Sequence, residues 1–280
     1  MIGRWTGARS GRWLFCHRSD HLMQRTNYRS IPAITGLTLV VAIAAPAHAA
    51  PCAFAPQGEG RVAAVIDART LRLQDGREIR LAGIEPAAGK ADGAAALSAI
   101  VAGRDVTLSG DDDTPDRYGR QPAFVYLASS ETPVQSELLA KGEALVSSSV
   151  TDKACALALM AAEAAAREAK LGIWAGPTAI KNTESRGDIL AGIGQFMVVE
   201  GKVLSVRQAG ATTYLNFGRN WTRDFAVTIP KRMVGTFEAA GMGLKSLENR
   251  RIRVRGFIEA RGGPRIEALR VGQIELLGDN

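Results

Sequence analysis

From Gly60 onward the apolar positions fall at the period of β-strands, in RVAAVI, then TLRLQ, then REIRLAGI, with Asp75-Gly76 between the second and third segments. Alternation of this kind predicts three strands, and an Asp-Gly pair between two of them predicts a tight hairpin turn. Ala91–Val101 is alanine-rich and ends at Gly103, the pattern of a helix, and Asp105–Ser109 and Pro122–Ala128 return to strand period. The order is β-β-β-α-β-β, which is that of an OB-type barrel. A helix near Val134–Ala140 and a longer one over Lys153–Lys170, rich in Ala, Glu, Arg and Lys and stopped by Gly172, complete this half.

Residues 176–190 lie in a polar stretch with Gly and Pro and no period, and they read as a linker. The strand pattern then resumes in FMVVEGKVLSVRQ, TTYLNFG, DFAVTI, RIRVRGFIEA, PRIEALR and QIELL, with a short helix around Lys231–Ala240. The predicted class is therefore mainly β with helices (α+β). It comprises an OB-type β-barrel over 51–175 and a second, OB-like β-barrel domain over 191–280.

Ahead of these lies a different kind of segment. Residues 31–50 join a short apolar run to Ala47-His48-Ala49, with Arg25 and Arg29 on the N-terminal side, which predicts that 1–50 is a signal peptide, Met23 being an alternative start. The apolar run is short for a membrane span, so an exported protein of the periplasm or extracellular space is expected, with no span after signal cleavage. Export places Cys52 and Cys155 in an oxidising compartment, where they either form a disulfide or remain buried thiols.

Charge follows the same division. The formal charge of +7 owes most to the leader, where six arginines face Asp20; residues 51–180 carry 13 basic against 17 acidic side chains, and 181–280 carry 16 against 10. The basic surface belongs to the C-terminal half. All three histidines, His17, His21 and His48, precede residue 51. The mature chain thus has no imidazole, which excludes Ser-His-Asp and Cys-His catalysis and most zinc sites.

Four short motifs carry the remaining chemistry: Val65-Ile66-Asp67-Ala68-Arg69-Thr70, Arg80-Leu81-Ala82-Gly83-Ile84-Glu85-Pro86, Asp116-Arg117-Tyr118-Gly119-Arg120, and Gly172-Ile173-Trp174. In this order over residues 60–175, the series resembles the thermonuclease (staphylococcal nuclease-like) family. That family's pattern runs V-I-D-G-D-T, R-L-x-x-I-D-x-P-E, D-[KR]-Y-G-R and G-[IL]-W. The resemblance implies a five-stranded OB barrel with C-terminal helices and calcium-dependent hydrolysis of phosphodiesters in DNA and RNA. It makes Arg80, Arg120 and Glu85 the catalytic candidates, and Glu85 with Asp67 the metal candidates. Fixed guanidiniums suit this chemistry, because negative charge develops on the phosphoryl oxygens and the guanidinium fork can give a phosphate two hydrogen bonds.

The acidic side departs from that pattern. Arg69 stands where the family has a metal-binding aspartate, Glu85 replaces another, and Pro86-Ala87-Ala88 lacks the general-base glutamate. Arg69 either adds a third cation for phosphate, with Arg117 and Tyr118 nearby, or pairs with Asp67 or Glu85 and closes the metal position. Asp111-Asp112-Asp113 and Asp116 either attract a relocated cation or form a solvated loop.

In the C-terminal half, Tyr214, Phe217, Trp221 and Phe225 are interleaved with Arg219 and Arg223, a composition suited to stacking on bases. Core packing of Tyr214, Phe217 and Phe225 in their strands is the reading favoured over stacking, leaving Trp221 as the exposed candidate. Arg251, Arg253 and Arg255 fall on one strand face, and Arg253 and Arg255 are further nucleic-acid-binding candidates, the alternative being a solvated face. Three functions remain: weakened hydrolysis of single-stranded DNA or RNA, a pseudo-nuclease that binds or scaffolds without turnover, and an envelope module that binds protein or glycan.

Overall fold

A computed structural model describes residues 52–87, 93–128, 130–177 and 179–278. The leader over 1–50 and Ala88 lie outside the described residues. The N-terminal half begins with β1 (Ala55–Asp67), β2 (Thr70–Leu73), β3 (Glu78–Leu81) and the short β4 (Ile84–Pro86), followed by α1 (Gly93–Val101). Then come β5 (Asp105–Gly110), β6 (Gln121–Leu127), α2 (Val134–Ala140), β7 (Ala144–Val146) and α3 (Lys153–Glu168).

Five of these strands close into a barrel in the order β1-β2-β3-β6-β5. Closure requires one strand to serve two partners. β1 does so across 13 residues, pairing its first half with β5 and its second with β2, with register irregularities that let it bend. Leu71, Leu73, Ile79, Leu81, Val106, Leu108 and Val125 fill the interior, as the alternating pattern predicts. β3 and β6 are parallel, the pairing that an intervening crossover through α1 permits.

Three covalent and conformational details fix the helices against the barrel. Cys52 is disulfide-bonded to Cys155 near the start of α3, so the first described residue is tied to the long helix that follows the barrel. Asp152 caps α3 by accepting the Cys155 amide at 2.7 Å. Gly83 has φ +77°, and a Cβ there would come within 3.0–3.2 Å of Leu159 and Phe124. Only glycine fits so tight a reversal, which swings the chain from β3 into β4 and delivers Glu85 to the barrel mouth.

Much of the stretch read as a linker has regular structure. It contains β8 (Ile180–Asn182), which runs parallel to β9 (Phe196–Lys202), and α4 (Arg186–Ala191). Polar composition concealed this because β8 is an edge strand of three residues with one face solvated. The remaining elements are β10 (Ser205–Ala209), β11 (Thr212–Asn216), β12 (Ala226–Pro230), α5 (Lys231–Ala239), β13 (Arg251–Phe257), β14 (Glu259–Ala260), β15 (Pro264–Glu267) and β16 (Ile274–Leu276).

These form two sheets, β10-β11-β12-β15-β14 and β16-β13-β9-β8, in place of one closed barrel. Val203-Leu204 and Ile258 interrupt what would otherwise be the continuous strands β9–β10 and β13–β14. If each interrupted pair is followed as one bent strand, the hydrogen-bonded path is first-second-third-fifth-fourth and back to the first, as in the N-terminal barrel. The parallel pair β12–β15 corresponds to β3–β6. The order is thus OB-like, with the breaks dividing the wall.

The described residues pack as one compact unit. Leu145, Ala166 and Trp174 from the first half form a small core with Phe196 and Val198 from the second. Among the described residues, no helix is long and apolar enough to cross a membrane.

Candidate functional site

The barrel mouth is built from three short pieces of chain. The β1–β2 turn presents Asp67 and Arg69, β3 and the turn after it present Arg80 and Glu85, and the loop before β6 presents Asp116, Arg117, Tyr118 and Arg120. Pairing of Thr70 with Arg80 brings the first two together, and parallel pairing of Arg80 with Pro122 brings in the third. Pieces distant in sequence therefore converge because the sheet closes.

The charged groups alternate in sign. Arg69 donates to Oε2 of Glu85, Arg80 lies 3.5 Å from Oε1 of the same carboxylate, and the other arm of Arg80 lies 3.8 Å from Asp116. Arg120 completes the chain by donating to Asp116 Oδ2 through Nη2 at 2.8 Å and Nε at 3.0 Å. Two carboxylates thereby bridge three guanidiniums. Arg69 is one of the bridged cations, and its partner is Glu85, one of the two carboxylates considered for it from sequence.

Protonation energetics differ between the two carboxylates. Glu85 is only 5% exposed, and burial pushes its carboxyl above the usual range despite Arg69 and Arg80. Burial likewise lowers the Arg69 guanidinium, while Glu85 opposes the shift. Asp116 is also pulled upward by desolvation, but Arg120 and the amides of Tyr118 and Arg120 hold it down at about 2. Those amides donate to Oδ1 at 2.9 and 3.1 Å, leaving Oδ2 for Arg120. Arg120 in turn is raised by its bond to Asp116.

A calcium ion needs six to eight oxygen ligands, so the donor set can be tested against it. Both oxygens of Glu85 face guanidiniums, and Oδ1 of Asp67 accepts the Arg69 amide at 2.8 Å. Among the described residues, no group of three or more His, Cys, Asp or Glu side chains is placed to hold a metal. The residues present do not fit calcium at this position. Asp111 accepts from Thr151 and Asp112 from the Thr114 amide, and both are exposed, as in a solvated acidic loop.

Tyr118 projects from the loop with 64% exposure, flanked by Arg117 and Arg120, whose guanidinium carbons lie 4.7 and 4.9 Å from its ring centre. This face offers the ring and the exposed Arg117 to solvent, while Arg120 is held by Asp116. Sequence reading placed Asp116 in an acidic cluster and did not single out its partnership with Arg120, although the i, i+4 spacing within D-R-Y-G-R was the available signal.

The C-terminal candidates separate sharply. Trp221 is 74% exposed on the β11–β12 loop, whereas Phe217 and Phe225 pack in the core at 5.4 Å between ring centres. Tyr214 is half-buried on the outer side of β11. Arg253 and Arg255 are corrected. They share a strand face as the alternation requires, but α3 meets that face through Glu163, and Glu200 of β9 and Glu275 of β16 flank Arg253 from the neighbouring strands, so the two side chains are 8% and 2% exposed. Arg253 is bound by Glu200 and Glu275, and Arg255 by Glu163, so neither is presented to a nucleic acid. Single-strand alternation specifies which residues share a face, not what covers it.

No curated protein matches this chain. Residues 80–176 match the family model described as staphylococcal nuclease homologue. The match starts at Arg80 and so excludes β1 and β2, yet those strands complete the barrel that the matched residues begin. The closed five-stranded barrel, the arginines on its mouth and the matched segment agree, and this chain contains a staphylococcal nuclease homologue domain over residues 80–176.

Proposed function

We propose that this chain is an exported nucleic-acid-binding protein whose nuclease-type barrel does not turn over phosphodiesters. A staphylococcal nuclease homologue domain supports a nuclease-type or nucleic-acid-binding role. The observation that favours binding without cleavage is the Arg69–Glu85 ion pair, which puts a guanidinium against the carboxylate that a metal would need. Absence of the general-base glutamate after Pro86 works in the same direction, since losing a general base costs about 10²- to 10⁴-fold in rate. The leader and the Cys52–Cys155 bond fit export to an oxidising compartment.

In this reading Arg80 and Arg120 keep their places but are charge-compensated by Glu85 and Asp116. A phosphate at the mouth must compete with those carboxylates, so the barrel alone binds weakly. Weakened hydrolysis is the second reading, favoured by the presence of both arginines on one mouth. A time course on labelled single-stranded DNA and RNA with calcium, with manganese and with EDTA separates the two. Intact substrate throughout is expected; metal-dependent cleavage that Arg120→Ala abolishes would establish hydrolysis instead.

A further inference from the structure

We infer that the outer face of the C-terminal sheet is a binding groove for a single strand of nucleic acid. That ligand class rests on the function proposed above, and the groove is remote in sequence from the barrel-mouth arginines.

The groove is a cleft of about 720 Å³ on β10, β11 and β12, bounded by the β11–β12 loop and the β14–β15 hairpin. Its floor follows from strand register. Leu215, Val227 and Ile229 point into the core, so their neighbours point out: Arg207, Tyr214 and Thr228 form one cross-strand row, and Ser205, Asn216, Ala226 and Arg265 form the next. The small Thr228 and Ala226 on β12 leave the hollow beside Tyr214, with Arg207 on β10 at one margin and Arg265 on β15 at the other.

Four arginines, Arg207, Arg219, Arg261 and Arg265, line the cleft against a single lining carboxylate, Asp224. Asp224 is occupied by the Asn220 amide at 2.8 Å, and Arg265 is shared with Glu259 outside the lining at 3.2 Å. The cleft therefore carries a net positive charge suited to a polyanion. At the Thr228 floor position the residue is 2% exposed, and among the described residues no group hydrogen-bonds its hydroxyl. A buried hydroxyl without a partner is costly in a closed site and is satisfied when a polar ligand fills the hollow.

The exposed Trp221 supplies the second kind of contact. Its loop is braced, with Asn220 receiving the Thr222 hydroxyl at 2.8 Å, and with Gly263 of the opposing hairpin so close that a Cβ there would meet backbone atoms of Trp221 and Thr222 at 3.2 Å. An indole held in water beside arginines, with Tyr214 on the floor, matches base stacking over a tracked phosphate backbone. Unpaired bases can reach such rings, whereas a duplex keeps its bases stacked inside. A neutral glycan would also stack on Trp221 but makes no use of the net positive charge of the cleft.

The test is fluorescence anisotropy of labelled 12-nucleotide single-stranded DNA and RNA, and of the corresponding duplexes, with the full chain in EDTA. Binding of a single strand that weakens about 5- to 100-fold in Trp221→Ala, and is largely restored in Trp221→Phe, is expected. Arg219→Ala with Arg261→Ala should flatten the salt dependence by about one to two units of log K against log salt. Binding that is insensitive to these changes but lost in Arg80→Ala with Arg120→Ala would overturn the groove and leave the nucleic-acid reading standing. Wild-type chain that binds no oligonucleotide would overturn both. Equal affinity for duplex and single strand would overturn the stacking role. Trp221 is exposed, so its variants should keep the wild-type melting temperature, which excludes misfolding as the cause of lost binding.

Discussion

Arg255 on β13 and Glu163 in the middle of α3 form a two-point ion pair, 2.9 Å at each contact, with side chains 2% and 1% exposed. Glu163 also accepts the Val146 amide at 2.6 Å, so one carboxylate ties the last strand of the N-terminal half, its long helix and the C-terminal sheet together. Arg167, Arg253, Glu200 and Glu275 extend the network around it. Breaking one partner of such a pair leaves a buried charge uncompensated, which costs about 3–5 kcal/mol. Glu163→Ala should therefore lower the melting temperature by about 6–20 °C for a chain of this size. Replacing both partners together, Glu163→Leu with Arg255→Met, should recover much of the loss, and a thermal melt of the three proteins reads the difference.

Arg69→Asp reverses the charge at the position where the nuclease resemblance expects a metal-binding aspartate. With Asp67, the introduced carboxylate and Glu85 then facing one another, calcium binding detectable by titration calorimetry should appear, and Arg80 becomes available to a phosphate. Cleavage should stay about 10²- to 10⁴-fold below that of a complete site, because the glutamate that would act on water is still missing. Full activity after this single change would refute the assignment of a missing base.

Acid should act on the two bridging carboxylates in sequence. Glu85 has a raised folded-state value, so as pH falls through the upper carboxylate range it takes a proton first and releases Arg69 and Arg80. Asp116 is depressed to about 2, so its stabilising contribution is complete above its unfolded value and is lost only as pH falls through about 2. Between these limits the barrel mouth gains positive charge while the Arg120 contact persists. Affinity for sulfate, whose charge is constant over this range, should rise on acidification, and Glu85→Gln should raise it at neutral pH by roughly 5- to 10-fold. A flat profile in the wild-type chain would contradict the order of titration.

The Cys52–Cys155 bond closes a loop with a sequence separation of 103. Cross-linking so long a loop removes much denatured-state entropy, so Cys52→Ala with Cys155→Ala should cost about 2–5 kcal/mol. Urea denaturation with and without reductant measures it, and the double variant should become insensitive to reductant.

The barrel was legible because its strands alternate against a single core and its turns carry glycine. Val134–Ala140 and the end of α1 at Val101 fall where propensity and glycine stops place them. The ordered linker was not legible, since β8 gains its order from β9 rather than from its own residues. Arg80, Arg120 and Glu85 were found by motif, and the alternation of charge between them required three-dimensional closure to see. Arg253 and Arg255 misled because an arginine-rich strand reads as a basic surface, and only the carboxylates of α3, β9 and β16 reveal that it is internal. The groove was half visible: Trp221 and Arg219 stood out in sequence, but Arg207, Arg261 and Arg265 join them only through register.

The guanidinium at position 69 belongs to the chain, and that changes how the barrel mouth meets its surroundings. A bound ion can be chelated, exchanged or diluted away, whereas a tethered cation is present at fixed stoichiometry in every molecule. The charge balance of Glu85 is consequently indifferent to the mineral content of the medium. In a medium whose ion concentrations vary, a barrel mouth that carries its own cation is insulated from them.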